Sequence, residues 1–483
     1  MKQNKVMKAI KYFFIGALML SFSAPAAAQD ETQAAIDQAT QIIKSKASDA
    51  AKQVQSIYKK NKKNGAVVMG IARAYFAERD TIAARTYAEY ATKLKDNRSI
   101  SEGYVLLGDI AALGDEGGKA ANFYSQAISF DAKNPDPYRK YAIMYSKVSL
   151  PTSIAKLETL RQEVPDYPVD LLIARLYDNG GKIDEAISYY EKVNLSDMEA
   201  GDVAKFALKY YLNKDYDKSL SVVSKGLEKF PRSSSINRVG LMGTIAKENF
   251  DEALAYADRL FNKSDSADLK DFDYNNYAKA YIGKGNYDEA IALYRKAMEV
   301  SQADKDAVNN LYKEISDAYM KKGDFDNAVA EYRKYLEGTS SKTASDYSTL
   351  AEMYYKHAAD LTGEEQIASI KQADDIYKEL QERFANNQDV VAYVLNRRGT
   401  LNAIMDPDSK QGLAKPVYEQ LMQLLEAKAE RTKTDNNRLI TCYRYMLSYD
   451  FTVQDNKEAA KAWAQKILEI DPENEQAKAV LAL

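Results

Sequence analysis

The sequence predicts an all-α fold, a linear array of helix pairs in place of one globular core. Three observations predict it. The 483 residues hold only 10 Pro and 21 Gly, too few for the turns an all-β chain of this length requires. Small and aromatic residues recur three and four positions apart, the neighbour distances on one helical face. That pattern returns at steps of 32 to 38 residues, a period that marks stacked two-helix units.

The first segment reads differently. Lys2, Lys5, Lys8 and Lys11 give a positive start, an apolar run follows from Phe13 to Phe22, and Ala26, Ala27 and Ala28 offer small residues to a peptidase. Residues 1–28 are therefore expected to be a secretory signal peptide cleaved after Ala28. The apolar run is short for a permanent span, and no Cys follows it to carry a lipid anchor. The expected location is the periplasm of a Gram-negative bacterium, compatible with peripheral association with an outer-membrane complex.

Residues 29–64 carry Ala50, Val54 and Ile57 at second-helix spacing, which predicts an N-terminal helical cap or degenerate repeat. Residues 65–343 are the core array. One unit is marked by Ala278, Tyr281, Gly285, Tyr287, Ala290, Tyr294 and Ala297, and the next by Ser316, Tyr319, Gly323, Phe325, Ala328, Tyr332 and Tyr335. Upstream units hold Ala174, Tyr177, Gly181, Ala186, Tyr190 and Val193, then Ala207, Tyr210, Tyr216, Ser219, Val223, Gly226 and Pro231. Small residues let two backbones approach, aromatic rings fill the gaps between helices, and Gly285 suits a helix end. The first-helix small residue recurs at Ala72, Gly108, Ala142, Ala174, Ala207, Leu241, Ala278, Ser316 and Ala351, with Leu241 the large exception.

These residues resemble the tetratricopeptide repeat, whose period is about 34 residues. The resemblance implies a right-handed superhelical solenoid of helix-turn-helix units. Residues 344–483 follow it less closely, as divergent repeats with longer loops and a C-terminal capping helix. Ala373 and Tyr377 arrive about ten residues late, predicting extra length near Leu361–Gln366. A further unit holds Gly399 and Ala414 around a loop at Asp406–Gly412, and the last holds Ser448, Ala460, Ile467 and Pro472. The 36 Tyr fall largely at the aromatic packing positions, where a ring is buried and its hydroxyl reaches the rim.

Composition removes most catalytic chemistry. One His357 and one Cys442 cannot build a His/Cys zinc site, a disulfide framework or an iron–sulfur cluster. No recognised motif gives His357 a nucleophile, so a helix-end histidine is expected. Cys442, early in a predicted helix, is expected to be structural. Asp406, Asp408 and Gly412 fail as a calcium loop, because Lys410 replaces an oxygen ligand and no glutamate closes the site. The paired carboxylates Glu364–Glu365 and Asp374–Asp375 read as solvated helix surface. No catalytic residue, metal ligand or cofactor is expected.

Without the leader the formal charge is −7, which argues against general nucleic-acid or anionic-membrane binding. The expected function is a non-enzymatic scaffold or adaptor of the cell envelope that binds a protein or peptide in its concave groove. The first helices should line that groove, placing Arg175, Tyr211, Arg238, Asn275, Lys279, Lys313, Asp317 and Met320 there. Some relatives grip a C-terminal carboxylate through a Lys/Asn/Arg clamp; Arg238 and Asn276 mimic two members, but Met242, Asn310 and Glu314 depart from it. The alternative is an outer-membrane-associated carbohydrate-capture protein. That role favours exposed Trp and long loops, and Trp463, the one Trp, falls in a predicted packing helix.

Overall fold

The computed structural model describes residues 26–482. The leader read over residues 1–28 therefore lies, apart from its last three residues, outside the described part. Twenty-five α-helices follow one another, and there is no strand among the described residues. The first pair is α1 (Ala26–Ser45) and α2 (Ala50–Asn61). Then come α3 (Gly65–Ala77), α4 (Thr81–Ala91), α5 (Asn97–Leu113), α6 (Gly117–Phe130), α7 (Pro135–Tyr145), α8 (Leu150–Glu163), α9 (Val169–Asn179), α10 (Ile183–Tyr190), α11 (Ala200–Leu212) and α12 (Tyr216–Lys229).

The array continues with α13 (Ser234–Ala246), α14 (Phe250–Asp258), α15 (Asp271–Gly283), α16 (Tyr287–Val300), α17 (Lys305–Lys322), α18 (Phe325–Gly338), α19 (Ala344–His357) and α20 (Gly363–Arg383). The last elements are α21 (Gln388–Met405), α22 (Lys415–Glu426), α23 (Lys433–Thr452), α24 (Lys457–Ile470) and the short α25 (Glu475–Leu481). Contacts group the chain into two compact units, Met1–Gly243 and Thr244–Leu483. Within each, a helix packs chiefly against its neighbours in sequence.

The packing rule read from the sequence holds in detail. All nine first-helix positions from Ala72 to Ala351 are buried, Leu241 included. In the second helices a small residue is followed four positions later by tyrosine: Ala120/Tyr124, Ala186/Tyr190, Ala290/Tyr294, Ala328/Tyr332, Ala373/Tyr377 and Ala414/Tyr418. These six rings are at most 3% exposed, and burying a side chain of this size is worth about 1.5–3 kcal/mol. Ring and small residue are complementary across each pair. A Cβ added at Gly108 would stand 2.4 Å from the Tyr124 ring, and one at Gly399 would stand 2.3 Å from Tyr418.

The hydroxyls do not reach a rim as expected. Tyr124 Oη donates to Asp109 Oδ1 at 2.8 Å, and Tyr332 Oη to the Asp346 carbonyl at 3.2 Å. A buried phenol without water needs a protein acceptor; the adjoining first helices supply it to Tyr124, Tyr332 and Tyr377, whereas the Tyr190 hydroxyl is buried without one.

Helix starts follow short polar side chains. Asp96 accepts from the backbone N–H groups of Arg98 and Ser99, and Asn387 from that of Val390; each satisfies orphan donors of a first turn. The turn after a first helix needs one left-handed residue. Gly285 and Gly323 supply it at φ +76° and +83°, while Lys214 and Asp455 adopt it without the glycine.

Several local expectations need correction. The extra length near Leu361–Gln366 is helical: a 3₁₀ turn at Ala358–Asp360 leads into the 21-residue α20. Ser448 is exposed, and Leu447 fills the buried position, because four residues (453–456) connect α23 to α24 where three (284–286) connect α15 to α16. Val193 lies beyond α10, which ends at Tyr190. Cys442 sits in the middle of α23, fully buried, and burial pushes its thiol up to about 12, so helix-terminus activation does not apply. The final helix α25 falls where expected, and α12 and α24 end at Lys229 and Ile470, shortly before Pro231 and Pro472.

Candidate partner-binding face

The first helices of the units hold most of the charged side chains singled out above, and their state differs along the chain. On the earlier first helices the charges are tied to one another. Arg73 on α3 pairs with Glu102 on α5 at 3.0 Å. Asp109 on α5 pairs with Lys140 on α7 at 2.8 Å, both side chains nearly buried, with Asp136 3.0 Å from the same lysine. Between α9 and α11, Arg175 grips Asp202 through two bonds of 2.8 and 2.6 Å, and Lys209 pairs with Asp178. Two bonds to one carboxylate fix the guanidinium plane, and the Asp202 bonds hold the Arg175 pKa above its ordinary value.

Tyr211 on α11 is half-buried, its ring 5.5 Å from that of Tyr216. Arg238 on α13 is half-buried and has interaction partners of its own.

α15 and α17 differ. Asn275 and Lys279 lie four apart on α15; Lys313, Asp317 and Met320 lie at four- and three-residue steps on α17, so each set shares one helical face. Lys279 and Lys313 are exposed and form no ion pair among the described residues. Lys313 Nζ lies over the Tyr335 ring, 5.9 Å from its centroid. Asp317 is exposed at the surface. Neighbouring bulk and then Glu314 push its carboxyl above the ordinary value, against the pull of Lys313 and Lys321. Met320 is half-buried against the apolar cluster of α18–α21.

Two amide oxygens in this stretch are buried without a partner, Asn275 Oδ1 and Asn309 Oδ1. Asn309, in the first turn of α17, was missed by sequence reasoning. Its Nδ2 donates to Thr339 Oγ1 at 2.9 Å, and the signal was Gly338, where a Cβ would stand 2.1 Å from that amide oxygen.

Beyond α18 the charges are tied again. Glu352 on α19 takes Arg397 and the Tyr377 hydroxyl. Asp374 is not solvated surface, as expected, but holds Arg398 Nε at 3.0 Å and Asn402 Nδ2 at 3.0 Å, joining α20 to α21. Lys428 pairs with Asp435 at 3.1 Å.

The residues weighed as chemistry have other tasks. The His357 ring stacks on Phe325 with centroids 3.8 Å apart. Asp406 Oδ2 accepts from the backbone N–H groups of Gln411 and Gly412 at 2.9 and 2.8 Å, closing its own loop. Trp463 Nε1 donates to Asp450 at 2.8 Å, and its ring stacks on Tyr443. No group of three His, Cys, Asp or Glu among the described residues is placed to hold a metal. No helix among them is long and apolar enough to cross a membrane.

Two family models described as tetratricopeptide repeat match residues 274–341 and 171–197, the first covering α15 to α18. The chain is similar to the C-terminal part of a TPR repeat-containing protein from Cytophaga hutchinsonii, at 25% identity over 58% of this chain and 99% of that one, TM-score 0.44. It is similar also to a tetratricopeptide repeat protein from Parabacteroides merdae, at 16% identity over 51% and 96% of the two chains, TM-score 0.36. No curated protein matches. Proteins built of such repeats are typically non-catalytic scaffolds for other proteins. Residues 171–197 and 274–341 thus match the tetratricopeptide repeat, and the helix pairs beside them carry the same buried small and aromatic positions.

Proposed function

We propose that this chain is a non-enzymatic scaffold or adaptor of the bacterial cell envelope, and that it holds a protein or peptide partner along the first-helix face of α15 and α17. One observation carries the reading: Lys279 and Lys313 stand exposed without an ion pair among the described residues, on helices flanked by others whose charges are tied across helix pairs. An exposed cation gains most from a partner carboxylate that leaves solvent on docking. Met320 adds a flexible apolar contact. The partner that fits is an acidic segment.

The leader read over residues 1–28 supports export, and with it a place in the periplasm of a Gram-negative cell. The test is crosslinking in cells from photoreactive residues at Asp317 and Met320, compared with the same positions in a background carrying Lys279→Glu and Lys313→Glu. A discrete captured protein lost in the altered background supports the proposal. Equal capture by both, with unchanged circular dichroism, removes this face from consideration.

A further inference from the structure

The net charge of −7 without the leader hides a local reversal at the N-terminal end of the array. Residues 44–63 contain seven lysines and one aspartate, a formal charge of +6. They cover the end of α1, the turn after it, and α2 with its C-terminal residues. Lys44, Lys46, Lys52, Lys59, Lys60, Lys62 and Lys63 are all exposed. α2 buries Val54 and Ile57, so Lys52, Ser56, Lys59 and Lys63, at steps of four, three and four, run along the opposite, outer face. Only Lys46 has an ion pair among the described residues, with Glu78 at 3.8 Å. The single aspartate, Asp49, accepts from Gln53 Nε2 at 2.7 Å. On α1, Asp37 accepts from Gln33 Nε2, and neither Asp37 nor Glu31 pairs with a lysine.

Helix dipoles do not account for this. Cations in a last turn offset orphan carbonyls, yet α3, α4, α5, α6 and α7 each end with no basic residue in the last turn. Lys46, Lys52 and Lys63 lie outside any last turn. Like charges at these spacings repel, so the stripe weakens α2 unless an external anion neutralises it.

We infer that the lysine stripe of α2 and its flanking turns docks this end of the array on a membrane surface carrying anionic lipid headgroups. Lysine is a compact, hydrated point charge suited to a diffuse negative field, whereas nucleic-acid faces draw on arginine forks and exposed aromatic rings. The stripe has no Arg and no exposed ring, since Tyr58 is packed on Tyr87 and Tyr90. A cluster of four to eight basic residues on an amphipathic helix is the size that anionic lipid recognises. Attachment here is peripheral and separate from the α15–α17 face.

Cosedimentation with vesicles tests the inference, using the chain without residues 1–28. Vesicles containing about 30% phosphatidylglycerol should retain it at about 50 mM salt, and pure phosphatidylcholine should not; about 500 mM salt should release it, since screening shortens the field to a few ångström. Reversing Lys52, Lys59, Lys60, Lys62 and Lys63 to Glu should lower the bound fraction by about tenfold or more. Reversing five exposed lysines elsewhere (Lys147, Lys305, Lys342, Lys378 and Lys457) changes net charge equally and should leave retention within about twofold. A Lys→Gln set at the same five stripe positions replaces the reversal if circular dichroism shows lost helix. Failure of the unaltered chain to sediment with phosphatidylglycerol, or equal loss in both sets, overturns the inference. So does retention on DNA or polyglutamate without retention on the vesicles.

Discussion

The first helices α5, α7, α9 and α11 and the first helices α15 and α17 have the same fold and opposite electrostatics. In the earlier group, Asp109, Lys140, Arg175, Asp202, Asp178 and Lys209 face one another from successive units and are paired. In the later group, Lys279 and Lys313 extend into solvent without an ion pair among the described residues. A repeat scaffold presents equivalent positions many times over, and the same positions can serve cohesion or recognition. What decides is whether the next unit supplies a countercharge: Arg175 finds Asp202 on the following first helix.

That comparison predicts a graded response to substitution. The largest effect belongs to Asp109→Ala. It leaves Lys140 in a nearly buried site and strips the Tyr124 hydroxyl of its acceptor. Breaking a buried pair from one side costs about 3–5 kcal/mol. The lower end, about 3 kcal/mol, is expected because Asp136 still reaches Lys140. Hydrogen exchange of α5 to α7 should accelerate to match, and an unchanged exchange pattern would show that this pair does not hold the units together.

Arg175→Lys should cost less, about 1–2 kcal/mol, because lysine keeps the charge but loses one of the two bonds to Asp202. Urea unfolding followed by circular dichroism measures it. A loss under about 0.5 kcal/mol would mean that the fork geometry adds little beyond charge.

Asp317 brings a pH dependence to the later group. Its folded pKa lies above the ordinary 3.8, so folding penalises the ionised form. The related stability is fully present below the ordinary value and is lost as pH rises through the folded value. Asp317→Asn should therefore raise the melting temperature at neutral pH, with the gain vanishing below about pH 3.8. A gain that persists in acid would point to side-chain packing as its source.

How much of this was legible follows from range. Ala290/Tyr294 and Ala328/Tyr332 could be read because helix packing repeats at fixed offsets within one unit. The one-residue slip that replaces Ser448 by Leu447 could not, since a four-residue connection has no compositional mark. Arg175 and Lys279 occupy equivalent first-helix positions, each directly after the small residue, and look alike in sequence. Their difference depends on whether a carboxylate on the next unit lies within reach, which is a property of three-dimensional register. The same holds for Asp374, whose partners Arg398 and Asn402 lie 24 and 28 residues away.

The smallest stability effect is the most discriminating one. Lys279→Met together with Lys313→Met removes two exposed cations that have no ion pair to lose, so unfolding free energy should change by no more than about 0.5 kcal/mol. Partner capture should nevertheless fall, because methionine keeps the length and apolar stem of lysine but supplies no charge to an acidic segment. The two readouts separate the groups: a tied charge moves stability, and a free one moves binding. A double substitution that destabilises the chain by 2 kcal/mol or roughly so would show that Lys279 or Lys313 is tied after all, and the division between cohesive and recognising first helices would collapse with it.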